Sequence, residues 1–379
     1  MRARGTAHQG GGRVARIVYA SRRPFFPARL GGAARSGALL VAALDARGDT
    51  RCDALCGRRG ATLAWDEAAR AALGIREVAE EDGATRVRCD GLDVRFVPDA
   101  DAALDARLRA GTVDAVWAML DGAEALLGRA LDAGVRAVLR VVDAEFDARA
   151  VGAIARRGAV LTANSPFIAR RLLERTGVPA TVTYAPFPRA AGDRVPRRDG
   201  LITMMNPVPC KGLETVVACI ARLPRRRFQL VEVWPQRPRR WAALARRLAA
   251  LPNVTLLRCR ADVGPLYERT ALLIVPSIWE EAFGRVAVEA HGYGIPVVAS
   301  RRGGLPDTVG GGGLLVDDYE DPGAWVEAIE RVLGDGALYA RLSDAARRNA
   351  RRPELGPEAC ARVLRAVCLD TPGVGAARR

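Results

Sequence analysis

Residues 275–313 read VPSIWEEAFGRVAVEAHGYGIPVVASRRGGLPDTVGGGG, and their pattern decides the fold class. The apolar run 271–275 stops at Pro276-Ser277 and has the length of a buried strand. A short acidic loop with Glu280 and Glu281 follows, and Phe283-Gly284 opens an apolar helix that carries Glu289. Gly292 and Gly294 end that helix, residues 295–299 supply the next strand, and Gly303-Gly304 makes a loop. Strand, loop, helix, strand is the unit of a parallel sheet, and such sheets bind ligands at the carboxyl ends of their strands. The helix start offers N–H groups without intrahelical partners and the positive end of a dipole, both suited to phosphate. Glu281 and Glu289 would repel a phosphate at contact. They are read instead as acceptors of hydrogen bonds from hydroxyls, as on a sugar or a ribose.

The same alternation runs outward in both directions. Residues 13–20 form a strand, 21–30 a proline-containing loop, and Gly31-Gly32 leads into a helix over 33–46, the opening of a Rossmann-like half. Strands follow at 49–56, 113–119, 136–142 and 159–163, and residues 84–97 alternate as an edge hairpin about Asp90-Gly91. Ser165 and Pro166 cap and begin a helix that ends near Thr176. Residues 185–198 contain three prolines and several charges, the composition of a linker. A second half then starts afresh with a strand at 201–205 and a loop at 206–212, and alternates to a last helix near 358–367. The reading is a tail over 1–12, one Rossmann-like domain over 13–187, a linker over 188–199, a second Rossmann-like domain over 200–352 and a terminal segment over 353–379.

Composition narrows the class. Hydrophobic residues make up 49% of the 379, ample for full cores, and no apolar run is long enough to span a membrane. The opening MRARGTAHQGGG is basic and glycine-rich without an apolar h-region, so it is read as a disordered tail and not a secretory signal. Eight scattered cysteines and two histidines point to reduced thiols in a cytoplasmic chain with no metal site. The net charge of +15 comes with acids interleaved among the arginines. A solvated arginine-rich surface is the main reading and peripheral contact with an anionic membrane face the other; no specific nucleic acid is expected, because few aromatics interleave with the basic blocks. Every cationic side chain but one is arginine; the exception, Lys211, stands in the 206–212 loop. A compact ammonium is a common phosphate partner and differs physically from a guanidinium fork.

Taken whole, the string P-S-x-x-E-E-x-F-G-x-x-x-x-E-A-x-x-x-G-x-P-V-V-A-S-x-x-G-G-x-P-(D/E), with seven residues between Glu281 and Glu289, resembles the donor-site signature of the retaining glycosyltransferases of family 4. The resemblance covers nearly all of the second domain and, more loosely, the first. It implies an α/β chain of GT-B fold, two Rossmann-like domains facing across a cleft, with the final helix packed back on the first. It implies an acceptor in the first domain and a nucleotide-diphosphate sugar, UDP- or GDP-linked, in the second. Glu281 would then bind the donor sugar hydroxyls, Glu289 the ribose hydroxyls, and Lys211 the diphosphate. Backbone N–H groups of Phe283, Gly284 and Arg285 would hold sugar and phosphate oxygens, and Gly31-Gly32 would face the diphosphate and the acceptor. The implied reaction is a glycosyl transfer needing neither metal nor cofactor. The diphosphate leaves through an oxocarbenium-like state, and the acceptor enters on the same face with the donor phosphate assisting its deprotonation.

Two positions depart from that family. Asn206 stands where an arginine usually pairs with the diphosphate and would donate one neutral hydrogen bond to the donor instead of two charged ones, and Arg285 is a candidate to supply the missing charge. Val142 stands where an active-site histidine is usual, beside Asp143, to which part of that role falls. His291 is read as structural. These departures keep open a non-catalytic GT-B protein that binds a sugar nucleotide or serves as a partner subunit, and behind it an epimerase or a phosphorylase on the same fold. The acceptor, whether a glycan, a lipid-linked or a small molecule, carries no motif in the first-domain loops.

Overall fold

The computed structural model describes residues 13–61, 63–120, 122–187, 198–233, 237–258 and 263–370. The tail read over 1–12, most of the linker read over 188–199 and the closing residues 371–379 lie outside them.

In chain order the first domain runs β1 Ala15–Ser21, α1 Gly32–Asp45, β2 Thr50–Gly57, α2 Glu67–Leu73, β3 Ile75–Glu81, β4 Ala84–Cys89, β5 Leu92–Val97, α3 Ala100–Arg109, β6 Ala115–Met119, α4 Ala123–Asp132, β7 Arg136–Val141, α5 Ala148–Arg156, β8 Val160–Ala163, α6 Pro166–Thr176 and β9 Thr181–Val182. Its sheet is ordered β3-β4-β5-β2-β1-β6-β7-β8-β9. The central strands are mostly buried, and β6, AVWAM, is apolar and buried at every position. Such strands are stable only between two covered faces. Helix α1 packs on one face with Tyr19, Trp117 and Val138, and helices α3 to α6 cover the other.

Residues 84–97 form an antiparallel pair about Asp90 and Gly91, whose φ angles of 36° and 78° suit a tight hairpin turn. The pair is not at the sheet edge as the alternation suggested. β5 pairs in parallel with β2, and the edge belongs to β3. That strand reads IREVAEE with only Ile75 buried, so its apolar period is too weak to show in the sequence.

The second domain runs β10 Leu201–Met205, α7 Leu213–Arg222, β11 Phe228–Val231, α8 Pro238–Leu248, β12 Val254–Leu257, α9 Gly264–Glu268, β13 Thr270–Val275, α10 Arg285–Gly292, β14 Val297–Ser300, α11 Leu305–Val309, β15 Gly313–Val316, α12 Pro322–Gly334 and α13 Gly336–Ala350, and α14 Pro357–Leu369 closes the chain. Its parallel sheet is ordered β12-β11-β10-β13-β14-β15. This is the doubly wound order, and its switch point falls between β10 and β13. The loops that leave these two strands, 206–212 and 276–284, therefore lie side by side over the crevice. No helix among the described residues is long and apolar enough to cross a membrane. The seven described cysteines carry free thiols.

Helix α14 returns to the first domain. Cys360, Ala361, Leu364, Val367 and Cys368 join the cluster of Leu40, Val41 and Leu44. Arg136 donates to the carbonyl of Val367 at 2.8 Å, and Arg365 to Thr50 Oγ1 at 3.1 Å. Leu364 is fully buried there, so Leu364→Ala is expected to cost about 2–5 kcal/mol in urea unfolding followed at the first domain. A cost below about 0.5 kcal/mol would mean that α14 does not contribute to that core.

Candidate functional site

The loop after β10 is shaped by Asn206, which has φ 58°. Its N–H donates to the Val231 carbonyl at 2.7 Å, and its Oδ1 accepts from the Val233 N–H at 3.0 Å. Asparagine is among the residues that tolerate the left-handed region. Here its side chain ties the end of β10 to the chain leaving β11. Gly212, at φ 80°, then brings the loop against its neighbour: a Cβ there would lie 2.0 Å from the Pro276 carbonyl oxygen. That approach seats the Lys211 Nζ on Glu281 Oε1 as an ion pair, the two side chains being 9% and 13% exposed. Ser277 Oγ donates to the same oxygen at 2.6 Å. The ammonium also lies 4.2 Å from the centre of the Trp279 ring, a favourable cation–π contact.

Glu289 lies on α10. It accepts from the Tyr267 hydroxyl at 3.0 Å on Oε2 and from Arg285 Nε at 2.7 Å on Oε1. Burial, and then the Glu289 charge, push the Tyr267 hydroxyl well above its ordinary pKa, so it stays a donor. The Arg285 guanidinium does not stop at Glu289. It crosses the cleft to donate to Ser36 Oγ at 2.7 Å and to the Pro186 carbonyl at 3.3 Å. Its backbone N–H opens α10 behind Gly284, which has φ 80° and offers no side-chain cap.

Two cavities meet in this cleft. One, of about 160 Å³, is lined by Asn206, Lys211, Tyr267, Glu281 and Glu289. The other, of about 180 Å³, opens toward Ser36, Arg140, Val142, Asp143, Asn164 and Trp279. Gly32, Lys211, Glu281, Gly284 and Arg285 wall both. Phe283 also lines the second. Gly32 meets the Arg285 side chain, whereas a Cβ on Gly31 would touch nothing within 4 Å. Gly31 serves as the residue before α1. Asp143 is exposed at the rim, its Oδ1 accepting from the Glu145 N–H at 3.3 Å. Val142 packs its side chain against the first-domain core. Arg140 is fully buried below, donating to the carbonyls of Thr183 and Tyr184, and burial draws its pKa down to about 10.

Several members of the site had no role assigned from the sequence. Ser277, Trp279 and Gly303-Gly304 all lie in the quoted stretch. A Cβ on Gly303 would lie 2.5 Å from the Glu281 carbonyl oxygen, and the Gly304 N–H donates to that oxygen at 2.7 Å. The doubled glycine was thus a visible signal for a close approach under the acidic loop. Tyr267 and Ser36 had none, since only the fold brings them near.

Comparison with known proteins bears on the second domain and on the fold. Residues 200–335 match the family described as glycosyl transferases group 1. The D-inositol 3-phosphate glycosyltransferase of Salinispora arenicola (strain CNS-205) is 33% identical over 198 residues, 45% of this chain and 44% of that protein. This chain spans less than half the length of the curated relatives it matches. Among solved structures, sucrose-phosphate synthase from Thermosynechococcus elongatus superposes with a TM-score of 0.70 at 20% identity, over 93% of this chain and 98% of that one. Anabaena Alr3699/HepE in complex with UDP-glucose superposes at 0.69 and 19% identity, over 92% and 98%. The fold is GT-B.

His291 lies away from the cleft, fully buried. Its Nδ1 faces the Asn349 amide nitrogen at 2.8 Å and its Nε2 the Gly312 carbonyl at 3.2 Å. That assigns a neutral ring with the proton on Nε2. Burial lowers its pKa from 6.5 to about 4. A histidine whose folded pKa is depressed loses stability as pH falls through the unfolded value, and the loss ends near the folded one. We expect stability to fall by roughly 3 kcal/mol between pH 6.5 and 4 on this account. Urea midpoints of wild type and His291→Gln across that window check it. An equal slope in both would exclude His291 as the source.

Proposed function

We propose that the chain is a retaining glycosyltransferase that moves a sugar from a nucleotide-diphosphate sugar to a hydroxyl-bearing acceptor without a metal ion. The observation that carries this reading is the shielded Lys211–Glu281 pair at the switch point, lining the same cavity as Glu289. A diphosphate entering the cavity draws the Lys211 ammonium and releases the Glu281 carboxylate to accept from sugar hydroxyls. Ser277 and Trp279 keep the two side chains in place during that exchange. Glu289 is oriented from behind by Tyr267 and Arg285, which leaves its remaining lone pairs for the ribose hydroxyls. The Arg285 side chain is committed to Glu289 and to the first domain. The charge developing on the departing diphosphate is therefore met by Lys211 and by the first-turn N–H groups of α10. The acceptor hydroxyl enters through the second cavity, where Asp143 orients it and the donor phosphate takes its proton. The name of the curated relatives makes a polyol phosphate the first acceptor to assay. UDP-glucose, bound in the Anabaena structure, is the first donor.

Val142 packs into the first-domain core and brings no polar side chain to the second cavity. That favours, as the second reading, a protein that binds the sugar nucleotide without transferring the sugar.

Calorimetry with UDP-, GDP- and dTDP-linked sugars tests both. One nucleotide class should bind, and Glu289→Ala should weaken it by roughly 10- to 100-fold, the worth of a lost charged hydrogen bond. Lys211→Ala should abolish binding. Because it leaves Glu281 shielded and unpaired, it should also lower stability by about 3–5 kcal/mol, read from unfolding run in parallel. Binding of none by the wild type would overturn the proposal; binding without turnover on any acceptor would favour the second reading.

A further inference from the structure

The acidic loop between β13 and α10 is tied to its own domain at one end, where the Ile278 and Trp279 N–H groups donate to the Cys210 carbonyl, and meets the first domain from Glu280 onward. Arg171 on α6 pairs with Glu280 through Nη1. Ser165 does two jobs: its Oγ accepts from the Ile168 N–H at 3.2 Å, capping α6, and donates to the Ala282 carbonyl of the loop. The Ala282 methyl packs against the first-domain core that holds Val141 and Ala163. Phe283 is buried with Ala185, Phe187 and Leu355, and Arg285 reaches Ser36. Glu281 makes its side-chain contacts within its own domain, with Lys211 and Ser277, between Glu280 and Ala282, which face the first; Phe283 meets both, since Val288 of α10 shares its cluster.

We infer that the first domain positions the donor-binding loop, with Arg171 and Ser165 as positioning residues that aim Glu281 without touching the ligand. This rests on the reading of Glu281 as the sugar-binding carboxylate. The alternation explains the effect: fixing the side chains on either side of Glu281 to one domain turns its carboxylate toward the other. Gly304 holds the carbonyl of Glu281, and Lys211 and Ser277 hold its carboxylate in the ligand-free site; once Lys211 turns to the diphosphate, the first-domain contacts of Glu280 and Ala282 keep the side chain aimed. The nucleoside part of the site, at Glu289, is oriented by Tyr267 and Arg285 and not by Arg171. The clamp thus acts on the sugar and diphosphate end of the donor and leaves the nucleoside end alone.

Two measurements decide this separately from the donor assignment. In the ligand-free protein, hydrogen exchange at residues 281–285 should quicken in Arg171→Met and return to the wild-type rate in the charge-swapped Arg171→Glu/Glu280→Arg variant. With whichever of UDP-glucose and GDP-mannose the wild type binds, Arg171→Met should weaken the nucleotide sugar roughly tenfold, the scale of a small misplacement. The matching nucleoside monophosphate should change by less than about twofold, within the scatter of a surface substitution. Unchanged exchange in Arg171→Met would overturn the clamp, whatever the ligand. Equal losses for nucleoside monophosphate and nucleotide sugar, without rescue by the swap, would reduce Arg171 to a general structural role. If the wild type binds neither sugar nucleotide, the donor reading fails and the exchange experiment still judges the clamp.

Discussion

The ion pair between Lys211 and Glu281 is the constraint on which the site depends. Two charges largely withdrawn from water are costly apart and tolerable together. Their pairing therefore fixes two loops that leave different strands of one sheet. The doubly wound strand order sets β10 beside β13, and Gly212 removes the side chain that would keep their loops apart. The aromatic face of Trp279 and the hydroxyl of Ser277 complete the enclosure. A polyanion with hydroxyls beside it is what such a pair can exchange for, since it replaces each partner with a group of the same kind.

The second domain does not hold this arrangement alone. The loop that carries Glu281 is packed, capped and ion-paired from the first domain, and Arg285 links the second carboxylate, Glu289, to Ser36 of α1. The cleft is thus a shared construction, and α14 adds to it by crossing back to the first domain's core. The shape of the cavity at Glu281 and Glu289 then depends on how the two domains stand.

Much of this was legible because the stretch from Val275 to Gly313 carries its own punctuation. An apolar strand, a Pro-Ser stop, two spaced glutamates and glycines at turns are local signals, and local signals survive in a sequence. The lone lysine among so many arginines was equally visible. The edge strand β3 was not, because a strand with one buried residue has no apolar period to detect. The partners of Arg285 and Glu280 were invisible for another reason. Ser36 is 249 residues from Arg285 and Arg171 is 109 from Glu280, and contacts across such spans leave no pattern in a single chain. For the same reason Arg285 read from the sequence as a charge for the diphosphate, whereas the fold directs its side chain to Glu289 and across the cleft.

The most direct test of the account is the affinity of the wild-type chain for a nucleoside diphosphate against the corresponding monophosphate, measured by calorimetry at one salt concentration. If Lys211 answers the diphosphate, the second phosphate should tighten binding by roughly tenfold or more, the worth of one charge-assisted hydrogen bond. Equal affinities for the two would mean that Lys211 remains with Glu281 when the nucleotide binds, and would contradict the exchange of partners on which the account rests.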